Sequence, residues 1–315
     1  MNIIQIILKN IEEGWSTFKV AEKDLTNKTI LITGGSEGIG LETAIQLAKM
    51  NAKIIIASRN KEKCADAVEA IKKASGNDKI EFRLLDLSSI QGVKDFAEDF
   101  KNDFSSIDIL INNAGGNFAN YSETNDGLEK TFHVNHLGPF ILTNLLLPLL
   151  YKGNEPRIIN LSSKAHAFHQ LQLPEDLKVK KEDYDRMIAY SKSKLMNVLF
   201  TKELARKLEN RNIKVVALHP GFVKTNIGQG DSNIFVWALT KLILLFVHGL
   251  LARNVDEGAK TTVFTAIDDS IVSGEYYDSC KIGEAQPQSY DTELAKKLWD
   301  LSAELAGISP EIPSK

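Results

Sequence analysis

The chain has 315 residues, long enough for one large α/β domain or two small ones. Hydrophobic residues make up 43% and charged residues 25%, as in an ordinary soluble globular protein, and a net charge of -3 gives no electrostatic case for binding nucleic acid. The two cysteines, Cys64 and Cys280, cannot make a disulfide framework and lack metal-ligand spacing, so no metal is expected and a reducing compartment fits.

The opening stretch MNIIQIILKN is mostly apolar and then turns polar. It is too short to span a bilayer and lacks the basic start and small-residue cleavage site of a secretory signal. Residues 1–24 are therefore read as an N-terminal extension, helical and lying on the protein's own surface, with a membrane-surface helix as the alternative. Residues 25–315 are read as one domain.

From Lys28, KTILITGG is a short apolar run ending in glycines, as a buried parallel strand should. Ile39, Thr43, Ala44, Leu47 and Ala48 then fall at helical spacing. KIIIAS from Lys53 is a second strand, followed by a charged helix carrying Cys64, Ala67, Val68 and Ile71. IEFRLLDL from Ile80 is a third, and Val93, Phe96 and Phe100 mark the next helix. IDILINNAG from Ile107, RIINLSS from Arg157, KVVALHPG from Lys214 and SGEYYDS from Ser273 complete about seven strands alternating with helices, which predicts a mainly parallel α/β sheet covered on both faces. Between the last two strands lies an apolar stretch, Ile234 to Leu251. Lys241, His248 and Gly249 interrupt it, and a single span there would split a compact domain. It reads as a lid around residues 226–255 that covers a substrate or grazes a membrane.

The chemistry-bearing residues sit at the ends of these strands. TGGSEGIG joins the first strand to the first helix, with Gly34, Gly38 and Gly40 spaced G-x-x-x-G-x-G. Such a turn lets backbone approach a pyrophosphate, and the helix N-terminus offers it free N–H groups. The second strand ends in Ala57, Ser58, Arg59 and Asn60 with no acid, which favours a ribose 2′-phosphate over a 2′-hydroxyl. NNAG closes the fourth strand with small residues (Asn113, Ala114, Gly115) where a cofactor can cross the sheet. In HVNHLG, Asn135 is a polar group in an apolar helical register, bonding backbone or organising water. The fifth strand ends in Ser162 and Ser163, of which alternation sends at most one into the crevice. In YSKSK, Tyr190 and Lys194 share a helix face while Lys192 points elsewhere. HPGFVKT ends the sixth strand in Pro220 and Gly221, and Thr225 can hydrogen-bond a ligand amide.

In their order and completeness, these stretches resemble the short-chain dehydrogenase/reductase family from about Thr29 to Gly307. The resemblance implies a Rossmann-type doubly wound sheet and a catalytic tetrad of Asn135, Ser163, Tyr190 and Lys194. It also implies that Asp86 contacts the adenine amine and Thr225 the nicotinamide carboxamide. The implied remaining cofactor contacts are Gly34, Ser36, Glu37, Gly38, Ile39, Gly40, Ser58, Arg59, Leu87, Asn113, Ala114, Gly115, Pro220, Gly221 and Val223, with Tyr190 and Lys194. The segment KEDYDRMIAYSKSK and the tail DTELAKKLWDLSAELAGI look like the retinol-dehydrogenase-like branch. Tyr184 is a rival phenol, but Ile188 stands where its lysine would be. Glu37 departs from some NADP-using relatives, which carry a basic residue there.

The expected activity is hydride transfer between NADP(H), with NAD(H) less favoured, and a small lipophilic carbonyl or alcohol of retinoid, steroid or lipid aldehyde type. Lys194 and the nicotinamide charge would lower the Tyr190 phenol from its usual pKa near ~10, making it a general acid or base. Ser163 would bond the substrate oxygen, Asn135 would hold a water linking the lysine to solvent, and Lys192 would be a surface charge. The alternatives are a non-catalytic dinucleotide-binding regulatory or scaffold protein, which need not keep Ser163, Tyr190 and Lys194 together, and an epimerase or dehydratase of the extended short-chain type. A cytoplasmic location is expected, with peripheral membrane contact and a homodimer left open.

Overall fold

TILIT and KIIIAS are rich in β-branched residues, and they pair in parallel within the sheet as β1 (Thr29–Thr33) and β2 (Lys53–Ser58). The computed structural model describes residues 20–221 and 255–314. Further strands are β3 (Ile80–Leu84), β4 (Ile109–Asn112), β5 (Arg157–Leu161), β6 (Lys214–His219) and β7 (Tyr276–Asp278), each inside a predicted stretch. An eighth, β8 (Lys281–Ile282), is added because Ser279 and Cys280 both take positive φ, 56° and 58°, and turn the chain back antiparallel onto β7. A two-residue strand carries no periodicity, so its sequence could not announce it.

The sheet order is β3-β2-β1-β4-β5-β6-β7-β8, with every pair from β3 to β7 parallel. Chain progression reverses between β1 and β4, so the crossovers leaving these two strands diverge and open a crevice at their C-terminal ends. Strand alternation divides the core in two. Leu31, Ile55, Leu110, Ile158 and Val215 face α3 (Ile90–Asp103), α4 (Gly138–Leu150), α5 (Arg186–Lys207) and α7 (Thr292–Ala306). Ile30, Ile32, Ile54, Ile56, Ile111, Ile159 and Val216 face α1 (Gly38–Lys49), α2 (Lys61–Ser75) and α6 (Val255–Ile267). Each such side chain, fully buried, contributes about 1.5–3 kcal/mol relative to exposure, which fixes the register of the strand ends.

Two local features set the site. The Asp185 carboxylate caps α5 by accepting from the Met187 and Ile188 N–H groups, so the helix starts one turn before Tyr190. Asn135 lies in a π-helical turn, His133–Leu137, between a short helical turn, Lys130–Phe132, and α4, where a plain α-helix was expected. At the N-terminal side, Val20 to Asp24 carry no helix. Lys23 there bonds the Ile267 carbonyl (3.2 Å) and Asp269 (2.7 Å). The expected helix within 1–24 otherwise lies outside the described residues.

Candidate active site

The turn after β1 is built around two glycines that no other residue could replace. Gly34 has φ +66°, and a Cβ on Gly40 would sit 2.3 Å from the Gly34 carbonyl oxygen and 2.4 Å from Asn113 Nδ2. The Asn113 amide donates to the carbonyls of Thr33 (2.9 Å) and Gly34 (3.1 Å), tying the end of β4 to the turn. In return, the Thr33 hydroxyl accepts the N–H groups of Asn113 (3.1 Å) and Ala114 (3.0 Å). Thr33 was not among the expected site residues, because its role depends on a partner 80 residues away. Gly38 and Ile39 open α1, whose N-cap, Glu37, makes no side-chain capping bond, so the first N–H groups of the helix meet no described capping side chain.

On the β2 side, the Ser36 and Ser58 hydroxyls bond each other at 3.1 Å, and Arg59 is exposed beside them. The Glu37 carboxylate is paired with Lys63 of α2 at 2.9 Å, in a position set by the Asn60 cap that accepts the Lys63 N–H. Asp86 follows β3. Desolvation raises its pKa, but the Ser88 hydroxyl (2.6 Å) and N–H (2.9 Å) and the nearby Arg59 charge outweigh this and hold the carboxyl below its ordinary value. Leu87 is buried beneath Gly138.

Across the crevice, the structure brings Asn135, Ser163, Tyr190 and Lys194 together. The Ser163 hydroxyl lies close enough to the Tyr190 hydroxyl to act on its ionisation. Lys194 Nζ lies 5.6 Å from the centre of the Tyr190 ring and donates to the Leu161 carbonyl at 3.1 Å. A Cβ on Gly115 would lie 3.2 Å from Lys194 Nζ and 3.1 Å from Asn135 Oδ1, so the exposed Gly115 backbone faces both. Ser162 points inward and donates to the Lys194 carbonyl (2.7 Å), leaving Ser163 at the crevice as alternation required. Pro220 and Gly221 follow β6, while Val223, Thr225 and all but the last residue of the expected 226–255 lid lie outside the described residues.

A family model described as short chain dehydrogenase matches residues 28–175 and 178–233. The chain belongs to the short-chain dehydrogenase family. It is 39% identical to retinol dehydrogenase 13 of Homo sapiens over 311 residues, covering 98% of this chain and 92% of that one. It is 38% identical to retinol dehydrogenase 14 of Mus musculus over 293 residues, covering 89% and 86%. Among solved structures, an uncharacterized protein from Mycobacterium paratuberculosis superimposes with a TM-score of 0.74 at 31% identity, covering 93% of this chain and 97% of its own. This short-chain dehydrogenase therefore lies in the retinol-dehydrogenase-like branch.

The surroundings of these side chains differ in part from expectation. With the protein's own groups alone, burial pushes the Tyr190 phenol up, and the Ser163 hydrogen bond opposes this only in part. Burial instead pulls Lys194 down to about 8. The Asn135 amide is committed to protein, accepting from the Gly116 N–H (2.8 Å) and donating to the Gly116 carbonyl (2.9 Å) and Ser193 Oγ (3.0 Å). Its side chain thus makes the backbone bond that was one of the two roles open to it. Lys192 is not a solvated charge; it pairs with Asp176 at 2.5 Å in a partly buried contact. Tyr184 donates to the Phe118 carbonyl (2.7 Å) and bonds Thr131 (3.2 Å). A cavity of about 580 Å³ runs along Ala189, Lys192 and Met196, a face of α5 other than the one carrying Tyr190 and Lys194. It is not the crevice.

Proposed function

We propose that this short-chain dehydrogenase moves a hydride between NADP(H) and a lipophilic carbonyl or alcohol, with Tyr190 as general acid or base. The observation that carries the reading is the meeting of Ser163, Tyr190 and Lys194 beside Gly115, at the same crevice as the glycine turn. The residues present fit a dinucleotide. A close-packed glycine turn opens onto the uncapped start of α1, and Ser58, Arg59 and Lys63 gather where a 2′-phosphate would be received. When bound, the nicotinamide supplies or accepts the hydride at the carbonyl carbon.

In reduction, Tyr190 gives its proton to the carbonyl oxygen as the carbon gains the hydride, and the product is the alcohol. Ser163 holds that oxygen by a hydrogen bond. Lys194 keeps a positive charge near the phenol and would hold the nicotinamide ribose hydroxyls, while Asn135 braces Gly116 against α5 through Ser193. A neutral phenol at physiological pH suits reduction, and alcohol oxidation requires the proton to leave first.

The names of the relatives support a retinoid-like substrate, and so does the apolar composition of Ile234 to Leu251. β6 delivers the chain to the crevice at Gly221 and α6 resumes at Val255, so residues 226–255 are proposed as the substrate-covering segment. Val223 and Thr225 are proposed as nicotinamide contacts on the same grounds, and residues 1–24 as an extension outside the catalytic domain. A scaffold role predicts no turnover. The deciding measurement offers retinaldehyde, decanal and a steroid ketone to the purified protein with NADPH or NADH, following the reduced-nicotinamide absorbance. Consumption of NADPH with at least one carbonyl is expected, and none with any combination overturns the proposal.

A further inference from the structure

Ser163 stands at the mouth of a loop whose geometry is imposed by a distant part of the chain. After β5 the chain enters a 3-10 turn, Lys164–Ala167, capped by Ser163 itself, whose hydroxyl accepts the Ala165 N–H at 3.2 Å. Within that turn His166 is only 2% exposed. Its Nδ1 lies 2.6 Å from the Ser163 carbonyl oxygen, and its Nε2 lies 3.2 Å from the backbone nitrogen of Gln286. A backbone N–H can only donate, so Nε2 must accept, and the ring proton is forced onto Nδ1. There it meets the Ser163 carbonyl, which can only accept. The two contacts are thus mutually consistent in one neutral tautomer.

The rest of the turn is fixed from the same side. The Gln286 amide donates to the carbonyls of His166 (2.8 Å) and His169 (3.0 Å). Gln288 clamps Leu171 in both directions, at 2.7 and 2.8 Å. Lys164 pairs with Asp278 at the end of β7 (3.3 Å), and the His166 ring packs on Tyr276 with centres 4.8 Å apart.

We propose that His166 is a positioning residue for Ser163: its Nδ1–H holds the Ser163 peptide plane so that the hydroxyl faces Tyr190, and Gln286 fixes the tautomer that makes this bond available. The proposal rests on the reading of Ser163 as the group that holds the substrate oxygen. An asparagine side chain can place an amide N–H near Nδ1, whereas a glutamine amide reaches toward the Nε2 position.

The test compares His166→Asn, His166→Gln and Ser163→Ala in NADPH-dependent reduction of retinaldehyde, with kcat, both KM values and Tm measured for each. His166→Asn should keep kcat within a few-fold of wild type, while His166→Gln should lose on the order of 10- to 100-fold in kcat with KM for NADPH unchanged, the size expected when a reacting geometry slips by about an ångström. Equal kcat in the two variants, at wild-type level or falling together with Tm, would show a packing role only and overturn the inference. Full activity of Ser163→Ala would instead remove the reading of Ser163, and this inference with it. Should His166→Gln fail to fold, the nitrogen-15 resonances of the His166 ring in the wild-type protein decide. Protonated Nδ1 and bare Nε2 are expected, and the opposite tautomer overturns the proposal.

Discussion

Tyr190 is partly buried, and desolvation raises its pKa above the ordinary value. With the protein's own groups alone, the phenol therefore keeps its proton at neutral pH and is set up as an acid. Replacing it with phenylalanine keeps the ring and removes the proton. Tyr190→Phe should fold, bind NADPH and lose about 10²–10⁴ in carbonyl reduction, and wild-type turnover in that variant would strip Tyr190 of its role. Tyr184→Phe should retain turnover yet lose about 0.5–1.5 kcal/mol of stability, since the Phe118 carbonyl is left without that donor. Lys194 makes a different prediction. Its folded pKa of about 8 is below its ordinary value of 10.5, so between those values the unfolded chain binds the extra proton and stability rises with pH. Below about pH 8 both states are protonated and the full cost of burying the ammonium is felt. Lys194→Met should therefore exceed wild type in denaturant stability at pH 7, by on the order of 3 kcal/mol, and the gap should close as pH climbs through that window. A gap independent of pH would mean that Lys194 is not desolvated in the folded protein.

At the scale of elements, the proposed cofactor preference rests on where the ends of β2 and β1 meet the starts of α2 and α1. Read along the chain, Glu37 opposes a 2′-phosphate and Arg59 favours one, and spacing cannot weigh them. The fold gives Glu37 a partner: α2 begins at Lys61, the Asn60 cap sets its first turn, and Lys63 comes to 2.9 Å from Glu37. The carboxylate is thereby partnered, although both side chains are more than half exposed and the pair itself is worth little. NADPH should be favoured over NADH about ten- to a hundredfold in kcat/KM, as one charge-assisted hydrogen bond of roughly 1.5–3 kcal/mol implies. Arg59→Leu should erase most of this preference; equal use of NADH by wild type would show that the end of β2 does not receive a phosphate. The strands and the glycine turn were legible because period and punctuation are local. The π turn under Asn135, β8 and the Lys63 contact were not, because each depends on backbone geometry or on a partner that spacing does not reveal.

For the whole molecule, the sequence carried the order of strands and helices, and handedness and crossover rules turn that order into the sheet with its crevice between β1 and β4. What it did not carry were the long-range ties, such as residues 286 and 288 holding the loop after β5, since nothing local marks them. The same global view bears on the apolar stretch Ile234 to Leu251, which lies outside the described residues. β6 ends before it and β7 comes after it, yet the two are parallel neighbours, with Ala217 opposite Tyr276 and His219 opposite Asp278. A single crossing of a bilayer would leave β6 and β7 on opposite sides and break those pairings together with the α6 packing on the sheet. Among the described residues no helix is long and apolar enough to cross a membrane. Alkaline carbonate should therefore strip the protein from any membrane with which it fractionates, and protease added to sealed vesicles should meet the chain before residue 234 and after residue 251 on the same side. Retention in the pellet, with one flank cleaved and the other protected, would mean that the stretch spans the bilayer and that β6 and β7 do not pair in the membrane-bound protein.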